Sequence, residues 1–195
     1  TPIYKKLKAH GAVFAETFGW ERAKWFDSSG HGEQYSFRRN NSHNSVAKEC
    51  IAVRERAGLL DMTCFAKYEI SGSDAETFLQ RICANRIPKR EGGVALVHML
   101  TDLGGIECEA TITRIEENKY YALSGAVAET HDYDWLVQHI LPDEKVTASN
   151  VTDEYGVLVL AGPSSRDVLS KLTDADLSNA AFPWLRGKTI DVSGI

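Results

Sequence analysis

Hydrophobic and polar positions alternate most regularly between residues 106 and 113. There Ile106, Cys108, Ala110 and Ile112 interleave with Glu107, Glu109, Thr111 and Thr113. A period of two predicts a half-buried β-strand. Gly104 and Gly105 precede it, and an apolar run over 94–100 precedes them, so the two segments read as a hairpin. A four-residue loop over 102–105 pairs Thr101 with Ile106, Leu100 with Glu107, His98 with Glu109 and Leu96 with Thr111. Directly opposed residues share a face. Leu96, His98, Leu100, Glu107, Glu109 and Thr111 are therefore expected together. A slip of one residue would exchange the two faces. Acids on one side of an antiparallel sheet are ordinary on a wet surface. An apolar wall beside a carboxylate and a hydroxyl also resembles the lining of a site.

Helical spacing recurs four times. Val46, Cys50, Val53 and Ala57 form a stripe capped by Asn44 or Ser45 and ended by Gly58. Ala75, Phe78, Leu79 and Ile82 follow Gly72, and Ser165, Val168, Leu169 and Leu172 follow Gly162. Tyr133, Leu136, Val137 and Ile140 run up to Pro142, which stops the helix. Further strands are expected over 65–71, 120–124, 146–151 and 155–161, with a strand-like tail at 188–192. In the first of these Ala66, Tyr68 and Ile70 make one face, and Phe65, Lys67 and Glu69 the other. Phe65 is a large hydrophobe opening a polar face. Strand, glycine and helix recur at Gly72 and Gly162, which reads as a duplicated β-α unit. The order β-α-β-β-β-α-β-β-α predicts an α+β fold, with mixed or antiparallel sheets and helices on one side.

Residues 1–44 differ from the rest. They are rich in aromatic and charged residues, show little periodicity and contain a Ser28-Ser29-Gly30-His31-Gly32 loop. They read as an aromatic connector that docks on a domain formed by residues 45–195.

Composition narrows the function classes. Hydrophobic residues at 43% and charged residues at 25% are those of an ordinary globular chain, and 195 residues can bury a real core. A net charge of −5 gives no field that attracts nucleic acid or an anionic membrane, so neither is expected as a partner. Cys50, Cys64, Cys83 and Cys108 are scattered, and three fall on apolar faces, so reduced core thiols are expected. The six histidines lack ligand spacing, and no metal site is expected. The opening Thr1-Pro2 and the abrupt end read as a piece of a longer protein.

Several motifs resemble a known family. The run Ala52-Val53-Arg54-Glu55-Arg56-Ala57-Gly58-Leu59-Leu60-Asp61-Met62-Thr63 is similar to the opening of the aminomethyltransferase (glycine cleavage T-protein) folate-binding domain. Gly72, Ala75, Phe78, Leu79 and the Gly104-Gly105 hairpin are similar too. Phe18-Gly19-Trp20-Glu21-Arg22 with Trp25-Phe26, and Ser124-Gly125-Ala126 with Thr130-His131-Asp132, resemble the branch fused behind a flavin amine-oxidase domain. Dimethylglycine and sarcosine dehydrogenases are of that branch.

That resemblance implies the N-terminal part of a folate-binding domain. It also implies a one-carbon transfer module that captures the methylene of an oxidised N-methyl amine on tetrahydrofolate. The implied catalytic acid is Glu109, and Phe65, Leu96, Thr111 and Gly125 are the implied folate-wall residues. FAD would belong to the parent enzyme only, and its FAD-binding domain and a methylamine-derived iminium would be the partners. The family acid is usually Asp, so Glu109 is one methylene longer. A later G-x-x-G-x-E segment, whose Glu grips the pterin, is not in this sequence. The alternatives are a non-catalytic folate-binding assembly or regulatory paralogue, and a folate-dependent demethylase acting on a sulfonium compound. The expected location is cytoplasmic, or alternatively the mitochondrial matrix.

Overall fold

The structure, a computed structural model, describes residues 1–195. In chain order its first elements are α1 (Tyr4–Ala9), β1 (Ala12–Thr17), β2 (Trp20–Phe26), α2 (His43–Glu55), β3 (Gly58–Asp61), β4 (Ala66–Ser71) and α3 (Ala75–Ile82). There follow β5 (Val94–Leu100), β6 (Ile106–Glu116), β7 (Lys119–Ser124), α4 (Glu129–Gln138), β8 (Thr147–Asn150), β9 (Leu158–Ala161) and α5 (Ser165–Leu169). The chain forms two compact units. One comprises Thr1–Cys64, Gly156–Asp174 and Val192–Ile195, and the other Phe65–Tyr155 and Ala175–Asp191.

The second unit is one five-stranded antiparallel sheet in the order β5-β6-β7-β4-β8. Its inner face alternates as the period of two requires: Ala66, Tyr68, Ile70, Val97, Met99, Cys108, Ala110, Ile112, Tyr120 and Ala122 are all buried. Ala75, Phe78 and Leu79 of α3 and Leu136 of α4 cover that face in a single core. The helices thus lie on one side of the sheet, as expected. The β-α order from β4 to α5 also matches the sequence reading. Val137 is exposed, so the apolar stripe of α4 is narrower than its spacing predicted. Asp132 occupies a buried place on the same helix.

Buried charge in this unit is paired. Arg114 Nη1 donates to Glu76 of α3 at 2.8 Å and to the Lys89 carbonyl at 2.9 Å. Lys67 is fully buried although it lies on the face expected to be polar. Its Nζ donates to the carbonyls of Phe65 and Thr152, each at 2.8 Å. An ammonium without such acceptors would not stay buried.

The first unit contains more regular structure than its composition predicted. Residues 1–44 hold α1 and a β1-β2 hairpin. Phe18 (φ 53°) and Gly19 (φ 80°) turn it between the paired Thr17 and Trp20. Two successive positive φ angles make the turn that matches strand twist. After β2, the 28–32 loop winds around Asp27, whose carboxylate accepts from Ser29 N at 2.7 Å, Ser29 Oγ at 2.6 Å and Gly32 N at 2.8 Å.

Helix α2 departs from expectation. Its cap position is Ser42, earlier than Asn44 or Ser45, and the helix has no fully buried residue. Val46 and Cys50 are exposed, and Val53 is only half-buried. Within its unit it packs mainly on the narrow β2 and β3, too little surface to cover a whole stripe. Strand β3, unpredicted because Gly58-Leu59-Leu60-Asp61 is too short to show a period, pairs antiparallel with β9. The 188–192 tail is not a strand; only Arg186, before it, makes a bridge, to Gly93.

The β-α echo is visible in the backbone. Gly72 (φ 130°) ends β4 and Gly162 (φ 110°) ends β9. Each glycine carbonyl accepts from the amide three residues on, Ala75 or Ser165, at 3.1 Å. A Cβ on Gly72 would lie 2.0 Å from the Lys145 carbonyl oxygen.

Two measurements check this fold. Gly72→Ala is expected to lower unfolding free energy by about 2–4 kcal/mol, from backbone collision plus positive φ. Gly104→Ala, at φ 80° but in open space, is expected to cost only about 1–2 kcal/mol in the same urea titration. Hydrogen bonding from Ser29 and Gly32 holds Asp27 well below the usual carboxylate range, at about 2. A depressed folded pKa stabilises above the unfolded value, and that contribution is lost as pH falls through the folded one. Amide exchange at Ser29 and Gly32, corrected for intrinsic rate, should therefore accelerate as pH drops from about 4 toward 2.

Candidate functional site

The β5-β6 hairpin sets the site. Its loop is shorter than expected: Gly104 N donates to the Thr101 carbonyl at 2.9 Å, and Thr101 N donates to the Gly105 carbonyl at 2.8 Å. Gly104 takes the positive φ that closes such a three-residue loop. Leu100 consequently pairs with Ile106 and not with Glu107, and Thr101 does not pair with Ile106. A bulge follows, Met99 pairing with Cys108, which leaves Glu107 as the extra residue. The two irregularities cancel, and from there the expected partners hold: His98 faces Glu109 and Leu96 faces Thr111.

The bulge separates the two carboxylates. Glu107 Oε1 accepts from His131 Nε2 of α4 at 2.9 Å. Glu107 therefore does not join the expected constellation, whereas Leu100 stays on the exposed face of β5 with Leu96 and His98 but pairs with Ile106. Glu109 Oε2 accepts from His98 Nε2 at 2.7 Å, with the Glu109 side chain 59% exposed. Beside this pair Leu96 stands 53% exposed, and Thr111 is half-buried. Leu96, His98, Glu109 and Thr111 thus share one patch on the face away from the helices. Across the sheet the pairings Leu96–Thr111, Thr111–Leu123 and Leu123–Lys67 form a continuous row.

Phe65 and Gly125 lie just past the ends of β4 and β7. Extending the register beyond Ala66–Ser124 and Thr111–Leu123 brings both level with Glu109, without a ladder bond between them. Phe65 is half-buried and Gly125 exposed, with no atom within 4 Å of where its Cβ would be. Together these positions offer a carboxylate acceptor, a hydroxyl, two apolar side chains and a bare backbone step.

Two features lie outside the expected site residues, although His131 and Asp132 fall in a motif of the family resemblance. Asn85, an isolated amide in a loop, pairs with the outer edge of β5 as a strand would. Its Nδ2 donates to the Leu96 carbonyl at 2.7 Å, and its Oδ1 accepts from His98 N at 3.1 Å. Ala84 N adds a bond to the His98 carbonyl at 2.8 Å. The second feature lies behind Glu109. His131 Nδ1 is 3.0 Å from Asp132 Oδ1, and the two acids Asp132 and Glu107 raise the histidine's pKa. Burial, with Asp132 adding to it, pushes the Cys108 thiol up. Cys64, Cys83 and Cys108 are buried and free, and Cys50 is exposed.

A family model described as the GCVT N-terminal domain matches residues 3–195. Dimethylglycine dehydrogenase, mitochondrial, of Mus musculus is 37% identical over 196 residues, covering 99% of this chain and 22% of that protein. Sarcosine oxidase subunit alpha of Rhizobium meliloti is 35% identical over 198 residues, covering 100% of this chain and 19% of that protein. The chain thus spans about a fifth of the length of these relatives. The crystal structure of glycine cleavage system aminomethyltransferase T from Bartonella henselae shares the fold. Its TM-score is 0.73 over 88% of this chain and 42% of that one, at 21% identity.

The edge support of the patch is testable. Asn85→Ala removes two bonds to the β5 backbone and should cost about 1 kcal/mol. Amide exchange at His98 is expected to rise roughly fivefold with little change at Ile112, the conversion of that energy to a rate ratio.

Proposed function

The chain belongs to the GCVT N-terminal domain family, and on that premise we propose that it is part of a tetrahydrofolate-dependent one-carbon transfer module. The module would belong to an enzyme that oxidises N-methyl amines such as dimethylglycine or sarcosine. The observation that carries this reading is the placement of Glu109 beside Leu96 and Thr111 on one exposed sheet face. Tetrahydrofolate would supply the two ring and side-arm nitrogens that take up the carbon. The iminium would come from a FAD-binding domain elsewhere in the parent enzyme. The mouse relative is a mitochondrial protein, which favours the mitochondrial alternative for the location.

Each residue then has a defined task. Moving a methylene from an iminium to two N–H groups frees the amine, which keeps one of the two protons, and releases the other. Glu109 accepts that proton and, while ionised, stabilises positive charge on the carbon being moved. His98 holds the tip of the carboxylate at 2.7 Å, so that its longer side chain keeps one position. Leu96 and Phe65 give apolar contact to the pterin faces, Thr111 offers a hydroxyl, and Gly125 lets the ring approach the backbone.

The test is a partition measurement in the full-length parent. Glu109→Gln should cut formation of methylenetetrahydrofolate by about 100-fold or more while amine oxidation stays within about twofold and formaldehyde release rises. Equal product yield from Glu109→Gln and the unaltered parent would sink the assignment.

A further inference from the structure

We infer that Cys108, His131 and Asp132 bind one zinc-class divalent cation, with Glu107 orienting the imidazole from behind. A thiol sulfur, an imidazole nitrogen and a carboxylate oxygen of these residues all lie within 4.8 Å of one another. They come from two elements, Cys108 from the inner face of β6 and the adjacent His131 and Asp132 from the first turn of α4. Cys108 and Asp132 are buried, whereas the His131 side chain is 49% exposed. An ion therefore has an entry side, and a water can complete a four-coordinate shell.

The placement of the three ligand atoms carries the argument, and the surroundings of His131 fit it. Its Nε2 is 2.9 Å from Glu107 Oε1, and its Nδ1 is 3.0 Å from Asp132 Oδ1. A carboxylate only accepts, so one neutral ring cannot donate to both. With the proton on Nε2, the ring donates to Glu107, and the Nδ1 lone pair turns toward the Asp132 oxygen and the Cys108 sulfur. Two acceptors at 3.0 Å repel unless a proton or a metal ion lies between them, and a zinc ion would take the place of a proton on Nδ1. A carboxylate behind a histidine that faces a metal is the usual outer-shell arrangement, fixing tautomer and ring orientation together.

The donor types select the ion. Thiolate and imidazole favour zinc and disfavour calcium or magnesium, which take oxygen. Binding displaces the Cys108 thiol proton, and any proton on His131 Nδ1, to solvent, leaving one thiolate and one carboxylate to balance the ion's two charges. The ion would join the bulged strand to the start of α4, on the side of β6 away from the Leu96–Thr111 patch. Its place owes nothing to the chemistry proposed for Glu109, and the two readings fail separately.

Tag-free protein, stripped with a chelator and dialysed, is titrated with Zn2+ against a chromogenic chelator, and bound metal is counted by elemental analysis. One zinc per chain is expected. Cys108→Ala should abolish stoichiometric binding, and Glu107→Gln should weaken it by about 10- to 100-fold. His31→Gln, at a histidine of the other unit, should leave it unchanged. Co2+ in place of zinc should show a thiolate-to-metal charge-transfer band that Cys108→Ala removes. Circular dichroism selects folded variants, and Glu107→Gln, at a half-buried position, keeps the test open if Cys108→Ala does not fold. Far less than one zinc per chain overturns the inference, as does a cobalt spectrum without the thiolate band. Affinity indifferent to both variants overturns it too.

Discussion

Everything that distinguishes the two faces of this hairpin depends on one extra residue. Side chains on a strand alternate strictly, so a loop shortened by one residue would invert every partnership beyond it. The three-residue loop closed by Gly104 does shorten it, and the bulge at Glu107 restores the count before Cys108. Cys108 accordingly enters the core, and Glu109 stands on the open face opposite His98. The bulge also removes Glu107 from that face and gives it to His131. Two carboxylates only two residues apart thereby acquire unrelated surroundings. A regular ladder would have set them side by side, where mutual repulsion would raise the pKa of one of them.

Sequence periodicity was most informative where a single packed layer enforces it. The inner faces of β4, β6 and α3 were legible because each alternating or 3.6-spaced residue meets the same core. Glu109, Leu96 and Thr111 were legible for the same reason, since they are the complement of that buried set. Legibility failed for α2, whose apolar spacing is genuine but whose main neighbours in its unit are two thin strands. It failed for β3, at four residues, and for the β1-β2 hairpin, whose turn places Phe18 rather than Asn or Asp at the first positive φ. Asn85 could not be read at all, because an amide that mimics a strand edge needs no pattern in the chain.

Lys67 shows how a polar signal can mislead. Its place in the alternation marks the face away from the helices, and that part was read correctly. Burial follows because two carbonyls, from Phe65 and Thr152, converge on its ammonium. Those bonds tie the residue before β4 to the chain leaving β8, so the charge fixes the strand end next to the patch. Replacing it by an apolar residue of similar length would leave both carbonyls without this donor, a cost of about 1–3 kcal/mol each where they stay dry.

The length of Glu109 brings these points together. A family resemblance places Asp where this chain has Glu, and the additional methylene adds a rotatable bond just where position matters. An acid displaced by about 1 Å can lose about 100-fold in rate. The structure offers a compensating contact: His98, directly opposite, holds the carboxylate tip at 2.7 Å, while Asn85 holds the backbone of His98. Freedom introduced by the longer side chain is thus reduced by a partner whose backbone is itself braced. Under the function proposed for Glu109, that bracing would let a Glu serve in an Asp's place, with His98 and Asn85 acting together with Glu109 as one unit.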